Sequence, residues 1–248
     1  MRILGIETAT WLGSVALATE SEVIAEYTLN IRRTHSERLM GMISRLLSDT
    51  DVALTNLDGI AVSIGPGSFT GLRIGLSTAK GLCFANDLPL IPVPTLEAMA
   101  SRLCFVRCPV CPLLDARKQE VYAALYDVSD GAVREALAPG TISLEHLLAQ
   151  IPRPVIFSGD GSTIFRDRIR EQLGERAFFA PSDVAHPDAA AVARLGLSAF
   201  RKGEHAELFD LEPIYLRRSE AEIKKRERGT QGVTILIDGQ EKFPCAKH

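Results

Sequence analysis

Apolar positions alternate along the first stretch of the chain, then shift to helical spacing, and this switch happens twice. Arg2–Glu7, with Ile3, Leu4 and Ile6, reads as a strand. Thr8 to Leu12 turns, Gly13–Thr19 returns, and Glu22–Leu29 completes a three-strand meander. Thr34 opens a helix carrying Leu39, Met40, Met42, Ile43, Leu46 and Leu47, a stripe too wide for one buried face. Thr34 and Glu37 have the spacing of a capping box. Ile60 to Ile64 is a short β-branched run ended by Gly65-Pro66-Gly67, and predicts a buried strand. Ser68 caps a helix to about Ala85 by accepting a first-turn N–H. Leu90 to Val93 is a short strand between prolines, and Thr95 caps a helix that fades near Leu103.

The order then restarts. Val110 to Asp115 is a strand, Ala116 to Gln119 a turn, and Glu120 to Asp127 the returning strand. Gly131 to Ala136 is a third, followed by a helix over Ser143 to Gln150, a strand over Pro154 to Ser158, and a helix from Ser162 to about Leu173. Asp188 opens a last helix that ends at Gly203. The repeat lies in element order rather than residue identity, and predicts a two-lobed α/β protein of duplicated topology, each lobe a mixed sheet with helices. The expected divisions are 1–104, 105–218 and a charge-dense extension over 219–248, with an edge strand at Val233 to Ile237.

The helix after Ser68 carries a distinctive stripe. Gly67, Gly71, Gly75 and Ala79 recur every four residues, so they share a face. Glycine inside a helix costs roughly 1 kcal/mol against alanine, so something must approach this backbone closely. Two objects fit: the chain's own sheet, or a partner protein. Leu72, Ile74, Leu76, Leu82 and Phe84 cover much of the remaining circumference, which implies burial on two sides.

Composition narrows the function. The 248 residues are 46% hydrophobic and 24% charged, with a net charge of −3. This is an ordinary globular balance with no global basic footprint for nucleic acid. No apolar run reaches the ~20 residues of a membrane helix, and the N-terminus lacks the order of a signal peptide. The expected location is the cytoplasm. Of the five cysteines, Cys104, Cys108 and Cys111 have a C-x3-C-x2-C spacing, but Cys111 sits in an apolar strand-like run without a glycine-rich cofactor loop. Buried free thiols are expected.

Catalytic constellations are missing from the pattern. His35, His146, His186, His205 and His248 include no i, i+4 pair for zinc, and no metal site is expected. His35 lies in a capping turn, where a surface histidine is the ordinary case. Neither Ser68 nor Ser162 has a glycine two residues before it, as a nucleophile elbow requires. Two turns could approach a nucleotide. One is Glu7-Thr8-Ala9-Thr10, contributing Thr8 and Thr10, where Ala9 replaces a helpful glycine and Glu7 adds negative charge. The other is Gly159-Asp160-Gly161-Ser162, contributing Gly159 and Gly161; strand-to-helix glycine turns also serve packing alone.

Gly65-Pro66-Gly67-Ser68-Phe69-Thr70-Gly71-Leu72-Arg73-Ile74-Gly75 resembles the signature of the bacterial TsaB (YeaZ) family of tRNA threonylcarbamoyladenosine biosynthesis proteins. Ile6 to Thr10 with Ser14-Val15-Ala16, His35 to Leu39, Asp115 to Lys118 with Glu120-Val121-Tyr122, and Glu212 to Arg217 agree. The resemblance runs from residue 1 to about 218; Gln119 departs from the small residue common there. It implies two actin/RNase H-like (ASKHA-type) lobes. It also implies a non-catalytic subunit in threonylcarbamoyl transfer to the adenosine beside the anticodon of tRNAs reading A-starting codons. The family pairs with a catalytic sister, TsaD, joined by a small ATPase, TsaE; tRNA is met through the complex. Cofactors are expected to be none bound tightly, with ATP or ADP only in the complex. The sister's two histidines, four apart, align with Thr95 and Met99, which cannot replace them at a metal.

The excess apolar surface of the helices at 34–49 and 68–86 and the Gly71/Gly75/Ala79 groove make them the expected interface with the sister, or with a second copy when the sister is absent. The first would contribute His35, Leu39, Met42, Ile43 and Leu46. The second would contribute Ser68, Phe69, Gly71, Leu72, Gly75, Ala79 and Leu82. A bulky residue at Gly75 is then expected to abolish pairing and leave the monomer folded. The rival expectation is a stand-alone actin-like ATPase or phosphotransferase using Glu7 with Asp115 and Asp160. A third is direct tRNA contact through Arg32, Arg33 and the basic tail. The glycoprotease label once attached to this superfamily finds no nucleophile–base pair here.

Overall fold

The computed structural model describes residues 1–31, 34–151 and 153–216. Arg32, Arg33, the 219–248 extension and its predicted strand lie outside the described residues.

Strands β1 (Arg2–Glu7), β2 (Gly13–Thr19) and β3 (Val23–Leu29) form the meander expected from their alternation. β4 (Gly59–Ser63) and β5 (Leu90–Val93) complete a sheet of order β3-β2-β1-β4-β5. The first three strands pair antiparallel, while β4 and β5 run parallel to β1. The second sheet uses β6 (Val110–Asp115), β7 (Glu120–Asp127), β8 (Arg134–Ser143), β9 (Val155–Ser158) and β10 (Ala177–Phe179). Its order, β10-β9-β6-β7-β8, is the first sheet's order read from the other edge. The pairings repeat too: two antiparallel hairpins, then two parallel strands. The duplicated topology read from element order is thus the fold.

Helices cover both faces of the first sheet. On one, α1 (His35–Asp49) and α2 (Phe69–Asn86) bury Leu39, Ile43, Leu46, Leu76 and Ala79 against Leu4, Ile6, Ile60 and Val62. On the other, α7 (Ala189–Arg201) lays Ala191, Ala193 and Leu197 on Ile3, Ala61 and Ile91. The alternation Ile3/Leu4 and Ile60/Ala61 sends successive side chains to opposite layers. α3 (Thr95–Ser101) lies between α7 and strands β6 and β7. The second sheet buries Leu147, Ile169 and Leu173 from α4 (Leu144–Ala149) and α6 (Arg166–Leu173).

Several local expectations change. The Thr34–Glu37 capping box does not form: Thr34 Oγ1 lies 3.0 Å from Ser36 Oγ instead. Thr95 begins α3 but does not cap it; its hydroxyl accepts the Gly65 N–H at 3.1 Å. The third strand of the second sheet is Arg134–Ser143, not 131–136, and includes Pro139 and Gly140. β8 is an edge strand with a shifted register against β7, and an edge tolerates a proline that donates nothing. The helix expected from Ser162 to Leu173 is two, α5 (Asp160–Ile164) and α6, divided at the buried Phe165. β10 was not expected.

Ser68 caps α2 as expected, accepting the Gly71 N–H at 3.3 Å. Ser68→Ala should lower stability by about 1 kcal/mol, read as a shifted midpoint in urea unfolding with unchanged slope.

Candidate functional site

The turn Gly65-Pro66-Gly67 brings the start of α2 onto the β1–β2 hairpin. Ser68 N–H donates to the Ala9 carbonyl at 2.7 Å, and the Thr8 hydroxyl donates to the Gly71 carbonyl at 2.9 Å. The glycine stripe is what allows this. A Cβ at Gly67 would sit 2.4 Å from the Ala9 oxygen, at Gly71 2.1 Å from the Thr8 oxygen, and at Gly75 2.2 Å from Thr8 Oγ1. The object approaching the backbone is therefore the chain's own hairpin, and the packing reading of the stripe is the one realised. Substitution at Gly75 strains the monomer itself, contrary to the expectation that the monomer would be spared.

Most of the residues singled out for an interface also face inward. Leu39, Met42, Ile43, Leu46, Leu72 and Ala79 are buried in this core, as are Gly71 and Gly75. Ser68 and Phe69 are exposed and Leu82 is half-buried. His35 is not a surface histidine. Its Nε2 donates to the Thr10 carbonyl at 2.7 Å, and Nδ1 accepts from Arg38 Nη2 at 3.3 Å. Burial holds its pKa below the usual imidazole value, in keeping with a neutral ring. Arg38 also donates to the Trp11 and Ile31 carbonyls, so α1 grips the hairpin turn from below.

Glu7 closes β1 and has no solvent exposure. One carboxyl oxygen accepts the Ala9 N–H; the other, Oε2, has no hydrogen-bond partner. Burial pushes its pKa up to about 7, aided by the Asp188 carboxylate and opposed by hydrogen bonds from Ala9, Ser63 and Thr8. The negative charge expected at this turn is thus largely neutralised by a proton below pH 7. Thr8 is buried and committed to Gly71, while the Thr10 hydroxyl accepts from Leu12 N–H at 3.2 Å. Gly159 and Gly161 press on Leu113: a Cβ would lie 2.2 Å and 2.9 Å from its carbonyl oxygen. Asp160 accepts the Asp115 N–H at 3.1 Å, and burial raises its pKa. Thr8, Thr10, Gly159 and Gly161 thus each make hydrogen-bond or packing contacts within the chain.

The corresponding hairpin of the second sheet, between β6 and β7, is strained. Arg117, Lys118 and Gln119 are all left-handed, with φ of 67°, 53° and 66°. Each non-glycine residue there costs roughly 1–2 kcal/mol. Asp115 Oδ1 accepts the Arg117 N–H at 2.8 Å, and Glu120 N–H donates to the Arg117 carbonyl at 3.0 Å. Among the described residues no cluster of three or more His, Cys, Asp or Glu could hold a metal. Cys83, Cys104, Cys108 and Cys111 are free, with burial pushing Cys111 up to about 12. A cleft of about 650 Å³ between the β2–β3 turn and α7 includes none of the residues expected from sequence.

A family model described as TsaD, tRNA N6-adenosine threonylcarbamoyltransferase, matches residues 22–225. The tRNA threonylcarbamoyladenosine biosynthesis protein TsaB of Bacillus subtilis (strain 168) is 34% identical over 227 residues, which are 90% of this chain and 97% of the relative. The chain belongs to the TsaB (YeaZ) family. Escherichia coli (strain K12) TsaB is 33% identical, with coverages of 89% and 96%. YeaZ from Pseudomonas aeruginosa superposes with a TM-score of 0.74 at 30% identity, covering 87% of this chain and 99% of that one. The activator of the 2-hydroxyisocaproyl-CoA dehydratase from Clostridium difficile, with bound ADPNP, shares the fold at a TM-score of 0.52 and 9% identity, over 87% and 100% of the two chains. The role of this TsaB-family chain is in tRNA threonylcarbamoyladenosine biosynthesis.

In this family member the outer face of α2 is dressed by a segment that sequence reasoning missed. Residues 204–216 return from α7: Ala206 N–H donates to the Leu90 carbonyl at 2.9 Å, and Ile214 N–H to the Ile64 carbonyl at 2.7 Å. Tyr215 stacks on Phe69 with ring centroids 4.8 Å apart, and Arg73 Nε donates to the Tyr215 hydroxyl at 2.9 Å. The Arg73 guanidinium lies 4.0 Å from the Phe69 centroid. Further along, Phe209 meets Phe84 edge-on at 6.0 Å. Phe84 is nevertheless 71% exposed and Phe209 77% exposed. The signal was present in Glu212 to Leu216, one of the stretches that carried the resemblance.

Proposed function

We propose that this chain is a non-catalytic subunit that supports threonylcarbamoyl transfer by pairing with a TsaD-like catalytic sister. The pairing uses the outward faces of α1 and α2 together with the segment over α2. The observation that carries this is the exposed aromatic pair Phe84–Phe209 at the carboxy-terminal end of α2. Two large exposed aromatics in contact have the composition of a binding hot spot. The non-catalytic reading draws support from Thr95 and Met99, at the positions aligned with the sister's histidines. Both are buried, and Thr95 is committed to the Gly65 N–H. The TsaE-like ATPase and tRNA join through the complex, where ATP or ADP also binds; without the sister the chain pairs with a second copy. The setting is the cytoplasm.

Reconstitution tests this. The sister, the ATPase, unmodified tRNA and threonylcarbamoyl-adenylate are combined with and without this chain. Modified adenosine should form only when the sister and this chain are both present. The double variant Phe84→Glu/Phe209→Glu should fold and weaken pairing at least about tenfold, a loss of ~1.4 kcal/mol. Modification by this chain without the sister would overturn the non-catalytic reading. Unaltered pairing of the double variant would overturn the assigned surface.

A further inference from the structure

The strained tip of the β6–β7 hairpin carries charge that packing does not use. We infer that Arg117 and Lys118 form an RNA-backbone contact, with the left-handed tip presenting them to phosphodiester groups of the tRNA. The inference rests on the proposed function only in taking tRNA as the nucleic acid.

Three observations combine. First, three successive non-glycine residues are held left-handed, at φ of 67°, 53° and 66°, where glycine would relieve the strain. Such strain survives where the surrounding structure fixes it, and it gathers at functional sites. Here the fixing is visible: Asp160 accepts from Asp115 N–H, Asp115 accepts from Arg117 N–H, and Arg168 Nη1 donates to Gln119 Oε1 at 2.7 Å. Second, the cations at the tip are nearly unspent. The Arg117 side chain is 73% exposed and its Nε reaches Asp115 only at 3.9 Å, while Lys118 is exposed. Third, the tip is anchored to α6, because Arg168 holds Gln119 through one nitrogen and pairs with Glu145 through the other.

The chain as a whole has a net charge of −3, so a polyanion has to be met by exposed cations; here Arg117 and Lys118 are exposed, whereas the Asp115 and Glu120 carboxylates beside them are half-buried. Phosphate recognition suits this tip because it needs no base-reading geometry, only cations and a fixed position. An exposed Lys and Arg on a rigid turn meet that need without a change of fold.

The test titrates fluorescently labelled unmodified tRNA into the complex of this chain with its TsaD-like sister, over a series of salt concentrations. The variant is Arg117→Gly/Lys118→Gly, which removes both charges and relieves two strained residues. Its affinity should fall about tenfold at 0.15 M salt. The slope of log affinity against log salt should decrease in magnitude by about 1–2, as expected for two lost phosphate contacts. Its melting temperature should rise, by about 2–4 °C, because glycine accepts the left-handed conformation. Arg117→Lys/Lys118→Arg keeps the charges and should bind tRNA as the unaltered chain does. A raised melting temperature with unchanged affinity and slope would overturn the inference and leave the tip as a strained turn. Loss of sister pairing with tRNA affinity intact would make it a protein contact and overturn it equally. If this chain does not pair with the sister, the proposed function fails while the same titration on this chain alone still reads the hairpin.

Discussion

Gly71→Val should lower stability by about 3 kcal/mol or more, a large share of the 5–15 kcal/mol typical of a folded domain. Its Cβ would meet the Thr8 carbonyl oxygen at 2.1 Å. That oxygen is backbone, fixed by the pairing of Glu7 with Ser14, so it cannot rotate away. Nor can the helix retreat cheaply, because Thr8 Oγ1 and Ala9 O are both hydrogen-bonded to its first turn. Gly81, on the same helix, provides the comparison: nothing lies within 4 Å of its added Cβ. Gly81→Ala should gain about 1 kcal/mol from helix propensity. Urea unfolding of the two variants beside the unaltered chain measures both signs. Equal midpoints for Gly71→Val and the unaltered chain would show that the hairpin does not sit on the helix as described.

Replacing Glu7 by Gln should make the chain more stable at pH 8 than at pH 4.5, relative to the unaltered protein. An acid with a folded pKa of about 7 and an ordinary value of 4.5 binds its proton more tightly when folded. Stability from this group is complete below about pH 4.5, declines as pH rises toward 7, and levels off above it. The interval corresponds to roughly 3 kcal/mol at full effect. Gln keeps an oxygen for the Ala9 N–H and cannot ionise, so its profile should lack this decline. Denaturant midpoints of the two proteins between pH 4.5 and 8 check it. Parallel profiles would mean that Glu7 is ionised or solvated in the folded state.

The sheets were legible because their alternation is strong. Arg2–Glu7, Gly13–Thr19, Leu90–Val93, Val110–Asp115 and Glu120–Asp127 have the limits that the pattern predicts. Misses have local causes. Pro139 and Gly140 look like chain breakers, yet an edge strand with a shifted register accommodates them. Thr34 has the right residue type for a cap, but its hydroxyl turns to Ser36. The glycine stripe announced a close approach without naming the visitor, since a partner helix and the chain's own hairpin demand the same small residues. The segment over α2 left no periodicity to find: its contacts join Tyr215 to Phe69 and Phe209 to Phe84, across more than half the chain. Gln119 sits at a φ of 66°, a left-handed position that glycine would occupy at lower cost.

The placement of α7 has a consequence for synthesis. Gly5 lies so near Ala189 that an added Cβ would be 2.3 Å from its oxygen, and Gly196 similarly meets Ala61 at 2.4 Å. The first lobe's back layer, including Ile3, Ala61 and Ile91, is therefore closed by residues made about 190 positions after Ile3. A chain made only as far as β5 lacks the helix that covers one face of this sheet. Pairings this distant in sequence are slow to form, and the exposed layer is apolar. The amino-terminal lobe must wait for α7, so residues made far along the chain close the layer begun by its first strand.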